Sequence, residues 1–174
     1  MLIVNIGNST TAFAVWAEGA YRARFSLATH SLAPEPLAAW LESLPAPRPD
    51  RAAIGSVVPG ATERLSGILK AKGFQEVLVL NPARHPIRPH ELETPETTGG
   101  DRLTAARAAW EREQRAVLVI DAGTAVTVDA VDREGVFLGG AILPGPVIWL
   151  AALHNTTAQR PPLEMPLEEP PAQG

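Results

Sequence analysis

The chain has 174 residues, of which 45% are hydrophobic, and it carries a net charge of −4 with no cysteine. This length suits one ordinary domain or two small domains of roughly 80 to 100 residues each. The lack of cysteine excludes disulfides, thiolate metal ligands and a cysteine nucleophile, and an acidic balance without a basic stripe argues against nucleic acid as a partner.

Neither a secretion signal nor a membrane span is expected. The N-terminus has no basic region before its short apolar stretch. The most apolar segment, 138–153, is interrupted by prolines and is shorter than the roughly 18 residues that a membrane helix needs. We therefore expect a soluble cytoplasmic protein without a membrane partner.

The first half of the chain is predicted to form a β-β-β-α-β-α-β unit. Alternating and apolar patterns predict strands at 2–6, 11–16 and 21–27, followed by a helix that Pro34 opens. A strand at 51–58 closed by the turn Pro59-Gly60, a helix ended by Gly73 and a strand at 77–80 complete the unit. Because strands alternate with helices in its later part, we expect a sheet with parallel members and helices packed on it.

The proline-rich segment 81–98 is predicted to be a linker, in which His85 and His90 are interpreted as solvated residues because no third metal ligand is near. After it, the pattern of the first unit repeats. A helix at 101–114 precedes strands at 117–121, 125–131 and 136–142 and a helix at 146–157, and the stretch from 161 is predicted to be a loop or frayed tail.

These elements predict two domains, residues 1–97 and 98–174. The second lacks the later strands that complete the first. Its sheet would be finished either by another chain or by residues absent from this sequence.

Two strand-turn-strand segments have the form of phosphate-binding hairpins. In the stronger one, at 119–131, Asp121 ends a strand where it can hold a cation or a metal-bound water. Gly123 permits the turn, and Thr124 offers a hydroxyl and an N–H to an anion. A weaker copy lies at 4–13. Either segment could be an ordinary β-hairpin, but two such turns facing each other would enclose a nucleotide.

The sequence Gly99-Gly100-Asp101-Arg102 places a carboxylate and a guanidinium at the start of a helix. An Asp at such a place is ordinarily an N-terminal cap, which stabilises a helix by roughly 1 kcal/mol. The functional alternative is that Asp101 accepts a proton from a substrate hydroxyl while Arg102 holds an anionic group bidentately. Together with cations and amides around the phosphates, these groups are the parts that phosphoryl transfer to an alcohol requires.

Five stretches, ordered along the chain, resemble the type III pantothenate kinases, the Bvg accessory factor-like family of the actin-like ATPase superfamily. They lie at 5–10, 56–59, 99–102, 121–124 with Thr127 and Asp129, and 139–145. The resemblance implies an α/β fold of duplicated ribonuclease-H-like domains, with mixed sheets and flanking helices, whose second domain is incomplete in this sequence.

The resemblance also implies ATP-dependent phosphorylation of pantothenate, the first step of coenzyme A biosynthesis, with Mg²⁺ and a monovalent cation, K⁺ or NH₄⁺. Asp121 would bind the monovalent cation, and Asp101 would be the proton acceptor. Pantothenate would contact Gly99, Gly100, Asp101 and Arg102. Family members are dimers whose substrate site forms at the subunit interface, so a homodimer is implied. The nucleotide would be bound by Asn5, Ile6, Gly7, Asn8, Ser9, Thr10, Thr11, Ala12, Gly123 and Thr124.

Three differences from the family pattern leave other functions open. Asn5 stands where the family has Asp, which removes a charge that would help to hold magnesium. Leu92 stands where a substrate-contacting tyrosine usually lies, and the chain ends where a further family motif would begin. One alternative is a catalytically weak regulator that binds a nucleotide or metabolite, and another is a kinase for a different small acceptor such as a sugar or acetate.

Overall fold

The computed structural model describes residues 1–80 and 98–156 of the chain. Within these residues the backbone forms eight strands in two sheets, together with four α-helices. The predictions made for His85, His90 and Leu92, and for the tail from residue 161, lie outside the described residues. None of the described helices is both long and apolar enough to span a membrane.

The first sheet has five strands in the order β3-β2-β1-β4-β5. Neighbours β1 and β2, like β2 and β3, are antiparallel, whereas β4 runs parallel to both β1 and β5. The predicted order and the parallel members are therefore confirmed. The strands are β1 (Leu2–Ile6), β2 (Thr10–Ala17), β3 (Ala20–Ala28), β4 (Arg51–Ser56) and β5 (Glu76–Val79).

Two helices, α1 (Pro34–Ser43) and α2 (Pro59–Ala71), supply the other side of the core of this sheet. The prediction that Pro59-Gly60 forms a turn closing a longer strand is wrong. β4 ends at Ser56, and Pro59 opens α2, because the N–H that proline lacks needs no partner in the first turn of a helix. Gly73, with φ of +90°, follows the end of α2 as predicted.

The second part of the chain begins with α3 (Gly100–Glu113) and continues as a three-stranded antiparallel sheet in the order β6-β7-β8. Leu103 and Ala106 of α3 form a small core with Val131 and Phe137 of the sheet. The remaining elements are β6 (Val117–Ala122), β7 (Ala125–Val131), β8 (Phe137–Pro144) and α4 (Pro146–Thr156).

The meander β6-β7-β8 repeats the connectivity of β1-β2-β3. In the first hairpin, Gly7 N–H donates to the Thr10 carbonyl at 3.0 Å, and in the second, Gly123 N–H donates to the Ala125 carbonyl at 2.9 Å. Gly7 and Gly123 therefore occupy equivalent places. The repeat supports the predicted duplication, while the boundary between residues 97 and 98 stays a prediction.

The two sheets differ in how their equivalent faces are covered. Leu2 and Val4 of β1 are buried against the helices, whereas their counterparts in β6, Leu118 and Ile120, are 71% and 66% exposed. Helix α4 follows β8 as a helix follows β3 in the first unit, but none of its residues is buried. Within the described residues, the second sheet thus keeps an uncovered apolar face.

The packing of α2 on the first sheet can be tested with two substitutions on that helix. Leu65 is fully buried, so we expect Leu65→Ala to lower the free energy of unfolding by about 2–5 kcal/mol. Gly67 is exposed with open space around it, so Gly67→Ala should raise stability by up to about 1 kcal/mol through helix propensity. Urea unfolding followed by tryptophan fluorescence measures both. Equal stability of Leu65→Ala and the parent protein would contradict the packing.

Candidate active site

The two hairpin turns lie against each other. Ser9 Oγ and Thr124 Oγ1 are 2.8 Å apart and share a hydrogen bond, although 115 residues separate them in the chain. The two residues are equivalent in the repeat. In each unit, the residue directly after the third strand donates its N–H to the carbonyl of the turn residue. Thr29 donates to Ser9 at 2.8 Å, and Gly145 donates to Thr124 at 3.0 Å. The structure thus brings together the two turns that the sequence analysis singled out as phosphate-binding candidates.

The first turn is held by threonine hydroxyls beneath it. Thr29 Oγ1 donates to the Gly7 carbonyl at 2.7 Å and lies 3.0 Å from Thr11 Oγ1. Both threonines are buried, so these bonds are shielded from water. Thr29 was not among the predicted site residues. The only sign of its role in the sequence is its position directly after the third strand.

The predicted nucleotide-binding residues differ in exposure and fall into three groups. The side chains of Ile6 and Thr11 are fully buried, so only their backbone could meet a ligand. Gly7 is half-buried. The exposed members are Asn5, Asn8, Ser9, Thr10, Ala12, Gly123 and Thr124.

Asn5 and Asp121 occupy equivalent positions, each two residues before the glycine of its turn. Asn5 pairs with Ala12 across the first hairpin, and both line a groove of about 570 Å³ on the open face of the first sheet. Asp121 is exposed and pairs with Thr127 across the second hairpin. Among the described residues no three metal-binding side chains cluster.

Asp101 lies one residue inside α3. The N-cap is Gly99, without a side-chain capping bond, and Asp101 Oδ1 accepts a hydrogen bond from the N–H of Arg102 at 2.9 Å. The interpretation of Asp101 as the N-cap is therefore wrong, although a carboxylate in the first turn still favours the helix dipole. Asp101 is therefore a residue of the first turn whose Oδ1 is engaged by the backbone N–H of Arg102.

The start of α3 lies next to the first hairpin turn. A methyl group built on Gly99 would be 3.8 Å from Val57 Cγ1, and the N–H of Val57 donates to the Ile6 carbonyl at 3.1 Å. Val57 follows β4, which runs parallel to β1, so the ends of both strands and the first turn of α3 meet at one edge of the sheet. Gly99, the first residue of the stretch 99–102, therefore lies near the end of β1, where the first turn begins.

Arg102 is engaged by a buried carboxylate. Its Nε lies 3.0 and 3.1 Å from the two oxygens of Asp129 in β7, and its Nη2 also donates to Asp129 Oδ1. Asp129 is 1% exposed, and its hydrogen bonds raise the pKa of the Arg102 guanidinium above the ordinary value. One edge of the guanidinium is thus already occupied, so an anionic ligand could use only the edge formed by Nη1 and Nη2.

Asp129 was recognised in the sequence only as part of a motif, and no role was predicted for it. A signal was present, because an aspartate on the inward side of an apolar strand needs a partner. The identity of that partner, 27 residues away on a helix, comes only from the fold.

The sequence of this chain is similar to those of one protein family. The family model described as type III pantothenate kinase matches residues 1–173. A type III pantothenate kinase from Rhodospirillum centenum is 34% identical over 173 residues, which cover 95% of this chain and 66% of the relative. One from Rhodopirellula baltica is 42% identical over 112 residues, covering 64% of this chain and 41% of the relative. The chain thus spans just under two thirds of the length of the first relative, and its match to the second covers less than half of that protein.

Solved structures with similar folds have little sequence identity to this chain. A conserved Baf family transcriptional activator from Campylobacter jejuni has a TM-score of 0.57 at 22% identity and covers 91% of this chain and 61% of its own. The ethanolamine utilization protein EutJ from Carboxydothermus hydrogenoformans has a TM-score of 0.53 at 17% identity, covering 88% and 54%. The fold is that of the actin-like ATPases, as the resemblance implied.

The second turn should depend on the absence of a side chain at position 145. A methyl group on Gly145 would overlap the carbonyl oxygens of Gly123 and Thr124 and lie 2.7 Å from the Thr124 carbonyl carbon. We expect Gly145→Ala to cost about 1–3 kcal/mol, because the backbone of the turn must move. Thermal unfolding is the measurement, with Gly60→Ala, which has open space, as the control. A midpoint equal to that of the control would show that the turn adapts freely.

Proposed function

The chain belongs to the type III pantothenate kinase family, and we propose on that basis that it transfers the γ-phosphoryl group of ATP to the hydroxyl group of pantothenate, the first step of coenzyme A biosynthesis. The observation that carries the proposal is the contact between Ser9 and Thr124, which pairs two phosphate-type turns beside the first turn of α3. Phosphoryl transfer depends mainly on positioning and on charge around the phosphates. The paired turns would supply the positioning, and cations that accompany the substrate would supply most of the charge.

In this proposal the paired turns hold the nucleotide. The exposed residues Asn8, Ser9 and Thr10 of one turn, with Gly123 and Thr124 of the other, offer hydroxyl and backbone N–H donors to phosphate oxygens. Magnesium enters with ATP as part of the substrate and neutralises charge on the β- and γ-phosphates. Asn5, exposed at the end of β1, would meet this cation through its amide oxygen.

Asp101 is proposed to act as the general base. The acceptor hydroxyl would give its proton to the Asp101 carboxylate while its oxygen forms the new bond to the γ-phosphorus and the bond to ADP breaks. Gly99 and Gly100 would let the acceptor approach the backbone closely, and the free edge of Arg102 would bind an anionic group of the acceptor.

Further parts of the proposal concern the surroundings of the site. Asp121 would hold K⁺ or NH₄⁺, which would add positive charge beside the phosphates.

We propose that the protein acts in the cytoplasm as a homodimer. The dimer is supported by exposed apolar side chains in the second part of the chain, namely Leu118, Ile120 and Trp149.

A second candidate function is that of a nucleotide-binding regulator with little catalytic activity. Asn5 favours it, because an amide binds magnesium less well than a carboxylate does. The similar fold of a protein described as a transcriptional activator is compatible with this candidate. Residues 99–102 beside the paired turns favour the kinase.

The role of Asp101 can be tested by replacing its carboxylate with an amide of the same shape. We expect Asp101→Asn to lower turnover by roughly 100-fold or more with little change in ATP affinity, since a general base contributes on this scale. The assay is pantothenate-dependent ADP release. Glu111→Gln, at the far end of α3 and exposed, should keep full turnover. If Asp101→Asn retains turnover and loses only thermal stability, the carboxylate is structural.

The substitution Asn5→Asp tests whether the missing charge limits the reaction. We expect it to lower the KM for Mg-ATP or to raise turnover, and the gain should shrink at high magnesium. ADP release across a magnesium titration measures the effect. Asn8→Asp, in the turn itself, should bring no gain, because a carboxylate without a metal repels phosphate. Equal activity of the Asn5→Asp and parent proteins at every concentration would show that Asn5 is tolerated, and inactivity of both would favour the regulator.

A further inference from the structure

We infer that Asp129 is a positioning residue for the phosphoryl transfer: its buried carboxylate fixes the side chain of Arg102 and, through it, the first turn of α3 that carries Asp101. The inference rests on the proposed function for its link to catalysis. The geometry on which it depends is independent of that function.

The ion pair is almost entirely removed from water. The Asp129 side chain is 2% exposed and that of Arg102 is 15% exposed, whereas both partners of every other ion pair among the described residues are at least 33% exposed. Burying two charges costs solvation energy, and well-packed apolar residues often serve stability as well or better. Stability alone therefore does not account for this pair.

The second sheet makes room for the carboxylate. Asp129 pairs with Gly140 of β8, and a methyl group on Gly140 would lie 2.6 Å from Asp129 Oδ1 and 2.8 Å from its Cα. On the other side, the Arg102 guanidinium lies 5.8 Å from the centre of the Phe137 ring. The carboxylate is thus packed against Gly140 and the guanidinium against Phe137.

The pair ties the start of α3 to the second sheet. Arg102 is the third residue of α3, and its side chain bonds to Asp129 in β7. Asp101 precedes Arg102 directly, and its carboxylate accepts the Arg102 N–H. A shift of Arg102 would therefore also move the proposed base and the free edge of the guanidinium.

The kinetic test is Asp129→Asn, which keeps the size of the side chain and removes its charge. We expect turnover to fall about tenfold or more and the KM for pantothenate to rise, while the KM for ATP stays within about twofold, because small misplacements of reacting groups carry large rate costs.

Val131→Ala serves as the matched control, because it weakens the same small core and leaves Arg102, Asp129 and Phe137 unchanged. A merely structural role predicts that variants with equal unfolding midpoints have equal kinetics. If Asp129→Asn and Val131→Ala show the same turnover and the same two KM values at equal stability, the positioning role is overturned.

Hydrogen exchange in the ligand-free protein gives a measurement that does not need activity. Asp129→Asn should speed exchange of the amides of residues 103–106, which bond to the first turn of α3, and leave those of β1 and β4 unchanged. If the parent protein releases no ADP with pantothenate, the proposed function fails and exchange alone decides the positioning claim. Unchanged protection of residues 103–106 would then refute it.

Discussion

Each hairpin turn of this protein is held in place by the residue that follows the third strand of its meander. Thr29 donates its N–H to Ser9, and Gly145 donates its N–H to Thr124. A turn with a glycine and few side-chain contacts would otherwise move, because its backbone loses much freedom on ordering. With both turns held, the hydroxyls of Ser9 and Thr124 can meet, and that contact joins the turns of the two sheets at the candidate site.

The repeat is symmetric in its backbone and asymmetric in its chemistry. Asn5 and Asp121 are equivalent in position, yet one side chain is neutral and the other charged. On the helix side, Arg102 is balanced by Asp129 and so contributes directional N–H donors more than net charge. Positive charge at the phosphates would then come chiefly from cations that accompany the substrate.

The repeat is also asymmetric in its packing. The first sheet buries Leu2 and Val4 beneath helices, while Leu118 and Ile120 remain exposed on the second. The small core of α3 with Val131 and Phe137 leaves the Arg102–Asp129 pair as a major tie between that helix and its sheet. Such a small apolar core could pack in several ways. A buried polar pair restricts these arrangements more strongly than apolar contacts alone do.

The sequence by itself determined the strands, the helices and the two turns, because apolar periodicity and glycine placement are local properties of the chain. It erred at Pro59, since proline is favoured both in turns and in the first turn of a helix. Only the tertiary structure decided that Ser9 meets Thr124, that Thr29 supports the first turn and that Asp129 pairs with Arg102. Periodicity reports which side of a strand is buried, whereas the partner of a buried group depends on how distant elements pack.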